Sequence, residues 1–237
     1  DEAKSFVKNW TIKNMEKFPG LTVACAIEPE FDSEPSKFQN SLKKLFALLA
    51  ADKAQNIPMT RVRGHGITSE CPLTGFPGEF WLQSHYISGV AFSKISHADS
   101  ANRLLAQSYS DLLGQTFVFS NDFDQLGGSE GDNNHIAVVH IDGNGIGERF
   151  RACKDEEELK SLSVSMEKAV EKSFRTLLQD LIENIGKLKE LELAISDGKT
   201  ILPVRPIIMG GDDITFVCDA RLGVYCAKVF MDSFSKQ

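Results

Sequence analysis

The chain contains no apolar run approaching the roughly 18 residues that a membrane-spanning helix requires, so no spanning helix is expected. Its first twenty residues lack the charged, apolar, small-residue order of a signal peptide. Basic charge is also in deficit, since 26 Lys and Arg face 33 Asp and Glu for a formal net charge of −7. That balance argues against a broad non-specific nucleic-acid surface, which is normally basic, but it leaves room for a local basic pocket. Cysteine is sparse and odd in number: Cys25, Cys71, Cys153, Cys218 and Cys226 are scattered and mostly sit in apolar segments. This is the pattern of buried free thiols rather than of a disulfide framework. No long low-complexity tract is present. A cytoplasmic location and no membrane partner are expected.

What is present is enough apolar material for real cores, 42% of 237 residues, in one large or two small domains. Residues 1–18 read as a helix with Phe6, Trp10 and Met15 toward one side, stopped by Pro19-Gly20. Residues 21–27 read as a strand. Residues 38–54 read as an amphipathic helix through Leu42, Leu45, Phe46 and Leu49, and residues 87–106 as mainly helical, with Val90, Ile95, Ala98 and Leu105 toward the core. Between them lies a turn-rich junction, Arg61-Val62-Arg63-Gly64-His65-Gly66 and Cys71-Pro72-Leu73-Thr74-Gly75. Cys71, His65 and His85 could assemble a zinc site, but the spacing matches no standard finger, and a metal-free loop is the expectation. Lys94 and Arg103 are weak candidates for phosphate contacts, because solvated surface charges are far commoner. Residues 120–134 are polar, acidic and glycine-rich and mark the expected boundary between the two halves. Residues 155–185 give the strongest helical pattern. Leu159, Leu162, Met166, Val170, Phe174, Leu177 and Leu181 recur at three and four, and Asp155 to Glu158 suit the positive N-terminal end.

Two stretches carry chemistry. In the later one, Ile207 and Ile208 lead through Met209 to Gly210-Gly211-Asp212-Asp213 and then Ile214-Thr215-Phe216-Val217, which reads as a β-hairpin with two carboxylates at its tip. In the earlier one, the apolar run 136–141 ends on Asp142 and enters Gly143-Asn144-Gly145-Ile146-Gly147. If the two are neighbours in one sheet, Asp142, Asp212 and Asp213 converge at one rim, where their mutual repulsion would be offset by a pair of divalent cations. Other templates fit the earlier stretch less well. A calcium loop starting at Asp142 would have Ile146 and Cys153 where ligands belong, and Gly143, Gly145 and Gly147 give G-x-G-x-G rather than a dinucleotide fingerprint. A plain turn stays open, as does a turn-forming role for the hairpin aspartates. Consecutive N–H groups in a glycine-rich turn leading to a helix also make an anion cradle.

With these residues quoted, VVHIDGNGIGERF, then a long helix, then PVRPIIMGGDDITFVCD, the chain resembles the palm domain of the polymerase/cyclase subunit of type III CRISPR effector complexes. It is closest to that palm's stand-alone bacterial relatives and more distantly resembles GGDEF diguanylate cyclases. The match covers residues 135–237 well and the first half weakly. The resemblance implies an α+β fold: a ferredoxin-like palm, βαββαβ, with an antiparallel sheet and helices on one face. It further implies a tandem arrangement in which residues 1–120 hold a partial first palm and the inter-palm junction, 121–134 a loop, and 135–237 the GGDD palm. The ends look incomplete for such a fold, so strand 21–27 is expected to pair in an N-terminal lobe.

For function, the resemblance implies a nucleotidyltransferase or nucleotide cyclase that holds ATP on two Mg²⁺ or Mn²⁺ ions and makes a cyclic or oligomeric nucleotide signal, as in antiviral defence. Asp142, Asp212 and Asp213 would be the metal-binding and catalytic residues, with Gly143, Asn144, Gly145, Ile146, Gly147, Gly210 and Gly211 next to the nucleotide. Implied partners are a nucleoside triphosphate and either a second copy or effector-complex subunits; nucleic acid is not directly indicated. Asn144 departs from the family, which often has a second Asp there. The competing class is therefore a nucleotide sensor or scaffold that has lost turnover, followed by a structural subunit that binds no nucleotide.

Overall fold

The computed structural model describes residues 2–55, 68–82, 84–127, 135–187 and 191–237, so residues 61–66 with His65, and residues 128–134 of the expected boundary loop, lie outside the described residues. The chain divides into two compact units, Asp1–Asp99 and Ser100–Gln237.

The first unit contains α1 (Glu2–Lys17), α2 (Pro35–Gln55), a hairpin of β1 (Phe80–Leu82) and β2 (His85–Ile87), and the start of α3 (Gly89–Ser108). The helices form where periodicity places them, but not all on the expected faces. Asn14 is the buried residue of α1, whereas Phe6 and Met15 are 67% and 71% exposed. Phe38, Ser41 and Leu42 anchor α2 while Phe46 is exposed, and in α3 Ile95 is exposed. The expected strand over residues 21–27 does not form. A strand needs a neighbour to complete its ladder, and among the described residues none lies beside it; instead the Cys25 N–H donates to Asp52 Oδ2 at 2.9 Å. The only sheet described in this unit is the short β1–β2 hairpin, so a first palm has no sheet to rest on among the described residues.

The second unit is the α+β body that the hairpin and long helix anticipate. After α4 (Ser110–Leu113) and β3 (Phe117–Val118) come β4 (Ile136–Asp142), α5 (Ile146–Ala152), α6 (Glu156–Asn184), β5 (Ile195–Ser196), β6 (Lys199–Ile201), β7 (Val204–Gly210), β8 (Asp213–Asp219) and α7 (Gly223–Phe234). The principal sheet is antiparallel in the order β4-β8-β7. Strand β8 is thus inserted between two parallel strands joined through α6, the split βαβ that is the kernel of a ferredoxin-like βαββαβ sheet. Pro206 and the register irregularity between Pro206 and Ile208 fall on edge strand β7, where a missing N–H is tolerated.

The start of α6 is set by Asp155, whose carboxylate accepts from the Glu158 N–H at 2.8 Å, while Glu158 Oε2 accepts from the Lys154 N–H at 2.9 Å. The reciprocal arrangement is a variant of the capping box. From there Met166, Val170, Phe174, Leu177, Leu178 and Leu181 face the sheet, where they meet Val139, Ile214, Phe216 and Cys218. Phe174 is fully buried and its ring sits 5.6 Å from Tyr109 and 6.2 Å from Phe216, in edge-on and tilted contacts. On α7, Gly223 allows close approach, since a Cβ there would lie 2.7 Å from that of Ala137. Tyr109, Leu113 and Phe119 belong to this core, so residues 100–120 pack with the GGDD unit.

The opposite sheet face is half covered. Val217 packs there against Leu126 and Ile201, helped by Val118 and Ala194. Leu126, 1% exposed, is therefore a buried anchor within a segment that reads as polar loop. Toward Asp142 and Asp213 that face is open.

Phe174→Ala removes the residue on which α6, β8 and Tyr109 converge. It should lower unfolding free energy by about 3–5 kcal/mol, read as a drop in urea midpoint at unchanged slope; a loss below about 1 kcal/mol would contradict the central place given to Phe174.

Candidate functional site at the carboxylate rim

Alternation along β4 and β8 decides which side chains share a face. Val139 and Ile141 point to the helices, which leaves Val138, His140 and Asp142 on the open face; opposite them, Ile214 and Phe216 point inward and Asp213 and Thr215 outward. In this register Asp142 stands directly across from Asp213. Cβ atoms of such a pair are roughly 4.5–5.5 Å apart. Both residues are exposed, at the end of the sheet where β4 leaves and the β7–β8 hairpin turns.

The turn is built from Gly211 and Asp212 between the paired Gly210 and Asp213. Gly211 has φ +62°, the left-handed value that suits glycine at the first central position of a II′ hairpin turn. The turn is tied to the end of β4 by the Gly143 N–H, which donates to the Asp212 carbonyl at 3.1 Å. Gly143 is needed for space: a Cβ there would lie 2.7 Å from Ile146 Cγ1 and 2.9 Å from Asp212 Cβ. Gly145, at φ +71°, supplies the backbone reversal that starts α5.

The structure therefore brings Asp142, Asp212, Asp213, Gly143, Gly210 and Gly211 to one rim. Asn144, Gly145 and Gly147 follow in the turn and the exposed start of α5. Ile146 is 7% exposed, so its side chain is a foot of the turn rather than a contact for a ligand on the open face. Carboxylates are the hard oxygen donors that Mg²⁺ and Mn²⁺ take, and around Gly145, Gly210 and Gly211 there is open space. The donor chemistry fits such ions. Among the described residues, however, no three His, Cys, Asp or Glu side chains are drawn closely enough together to hold a metal ion, so the rim is not a closed ligand set.

Two neighbours of the rim were not singled out from sequence. His140 Nδ1 and Thr215 Oγ1, 3.0 Å apart, form the next outward-facing pair along the same strands. A strand pattern marks such residues only as the polar side of an alternation. On the helix side, a cavity of about 800 Å³ runs from Ile146 and Arg149 of α5 to Glu157, Ser161 and Ser165 of α6 and Phe234 of α7. Its polar residues read in sequence as the solvated face of an amphipathic helix.

The candidate zinc position is different in kind. Cys71 is 1% exposed, Thr74 Oγ1 lies 2.9 Å from Ser88 Oγ, and His85 stands on β2. Burial pushes the Cys71 thiol up, but hydrogen bonds from the Thr74 hydroxyl and from the Ser88 and Leu73 backbone outweigh it and bring it down to about 6. Lys94 and Arg103 are both exposed.

No family model matches the chain, and no curated protein matches it. No helix among the described residues is long and apolar enough to cross a membrane.

Two expectations follow. Mg²⁺ or Mn²⁺ should raise the melting temperature of the wild type, by up to about 2.7 kcal/mol at a hundredfold excess over Kd. The double variant Asp212→Asn/Asp213→Asn should lose that rise while the metal-free protein stays as stable or gains; a rise that survives the double substitution would put the cation elsewhere. For Cys71, the folded thiol lies below its ordinary 9.0, so its stabilising contribution is complete above 9.0 and is lost as pH falls toward 6. The urea-midpoint gap between wild type and Cys71→Ser should therefore widen with pH across that window, and a pH-independent gap would contradict a lowered thiol.

Proposed function

We propose that the chain is a palm-type nucleotidyltransferase or nucleotide cyclase acting on ATP, and the observation that carries this reading is the Asp142–Asp213 pairing beside the Gly211-Asp212 turn. A rigid antiparallel pair holds two carboxylates side by side, and the Gly143–Asp212 hydrogen bond fixes the third residue against them. Asp142, Asp213 and Asp212 would hold the divalent ions. Such ions, when bound, lower the pKa of an attacking hydroxyl and neutralise the charge of a leaving pyrophosphate.

The chain's own part is positioning. The backbone from Gly143 to Gly147 leaves room for phosphates above the rim, with Gly210 and Gly211 adding no side chain to obstruct them. The 800 Å³ cavity bordered by Ile146, Arg149 and Ser161 lies within the size range of small-ligand pockets and would accept a nucleoside. We place the protein in the cytoplasm, where nucleoside triphosphates are available and free thiols persist, with a second copy or effector-complex subunits as protein partners.

The second reading is a nucleotide sensor that has lost turnover. It is favoured by Asn144, a neutral residue where the resembled family often has an aspartate, and by the open ligand set. One experiment separates the readings. With labelled ATP and Mg²⁺ or Mn²⁺, the wild type should release pyrophosphate and form a cyclic or oligomeric product, and Asp212→Asn/Asp213→Asn should reduce the rate at least about a hundredfold. Calorimetric ATP binding without product establishes the sensor; neither binding nor product refutes both.

A further inference from the structure

The β1–β2 hairpin of the first unit has one anchored side and one presented side. Ile87 is buried with Cys71 and Ala91, and Phe80 stacks on Phe92 with ring centroids 4.3 Å apart. Trp81 and Tyr86 pair directly across the strands, so both point to the other side. They remain 64% and 47% exposed, and their rings meet at 66° with centroids 4.8 Å apart. An aromatic corner is thus held up by a packed base rather than folded away.

The preceding loop closes over this corner. The Gly78 N–H donates to the Ser69 carbonyl at 2.8 Å, and a Cβ on Gly78 would lie 2.5 Å from that of Tyr86, so only glycine lets the loop pass this close. The result is a cavity of about 290 Å³ whose walls include Trp81, Tyr86, His85 and Ser84 from the hairpin and Glu70 and Pro72 from the loop. No lysine or arginine lines it.

Two aromatic rings with one carboxylate are the elements that recognise an organic cation. The negative ring faces attract it, the carboxylate forms a charge-assisted hydrogen bond, and the apolar walls take its carbon stem. Among biological cations the guanidinium fits best. It is planar, weakly hydrated and able to stack on an indole while its N–H groups fork to a carboxylate. The volume is below the usual range for drug-sized ligands and suits a single side chain. A net charge of −7 favours encounter with a basic partner. We propose that this aromatic corner docks an arginine side chain of a partner protein. The site lies apart from the carboxylate rim in the chain's other unit, and the proposal does not depend on the nucleotide reading.

The test uses the Trp10→Phe protein, in which Trp81 is the one remaining indole. Its emission is followed while N-acetyl-arginine amide, the neutral isostere N-acetyl-citrulline amide and tetramethylammonium are titrated separately. Arginine should give a saturable change; citrulline should bind at least about tenfold more weakly, and Glu70→Gln should weaken arginine by a similar factor. Tyr86→Leu, checked for an unchanged melting curve, should also weaken it. Absence of a saturable response overturns the proposal. So does citrulline binding as well as arginine, or an arginine response unaffected by Glu70→Gln and Tyr86→Leu. Tetramethylammonium binding more tightly than arginine would overturn it in favour of a small-molecule ammonium site.

Discussion

Everything at the carboxylate rim depends on the register of β4 against β8, from Ile136 opposite Asp219 to Asp142 opposite Asp213. Side chains alternate with period two, so a slip of one residue would send Val139 and Ile141 to water and turn Asp142 into the core. The register is held from the helix side, where Val139, Ile214, Phe216 and Cys218 lock into Phe174, Leu177 and Phe230. The apolar core and the placement of the carboxylates are thus one constraint: the packing that buries Phe216 at 0% exposure is what puts Asp142 beside Asp213.

The same alternation explains why one end of the outer sheet face is closed and the other open. Val217 is outward-facing yet 4% exposed because Leu126 and Ile201 cover it, whereas Val138, two pairs from the rim, is 67% exposed. Arg205 strengthens the closed end: its guanidinium donates to Asn102 Oδ1 at 2.6 Å and to the Ser120 carbonyl at 2.8 Å, and burial pushes its pKa down. A polar bridge therefore ties residues 102–120 to β7 and leaves the open end to the aspartates and the His140–Thr215 pair.

The two units show opposite relations between pattern and packing. In the second, Leu177, Leu178 and Leu181 recur on one helix face and all meet the sheet, so periodicity and burial agree. In the first, Phe6, Met15 and Phe46 are apolar on helices yet exposed, and residues 21–27 are extended in composition yet unpaired. A strand is a property of two segments, and apolar character shows what a residue favours without showing what covers it.

By itself the sequence determined the local elements: the span of α6 with its Asp155 cap, the hairpin around Gly211, and the end of an apolar strand at Asp142. These follow from helix spacing, turn chemistry and alternation, all of which act over a few residues. Only the tertiary structure decided that β8 lies between β4 and β7, that Leu126 is a core residue, that Ile146 is buried beneath its turn, and that Trp81 and Tyr86 stand exposed over Glu70. Those outcomes rest on contacts between residues far apart in the chain. A single residue carries no mark of which distant surface will cover it, because burial is settled only when the whole set of apolar faces has been paired.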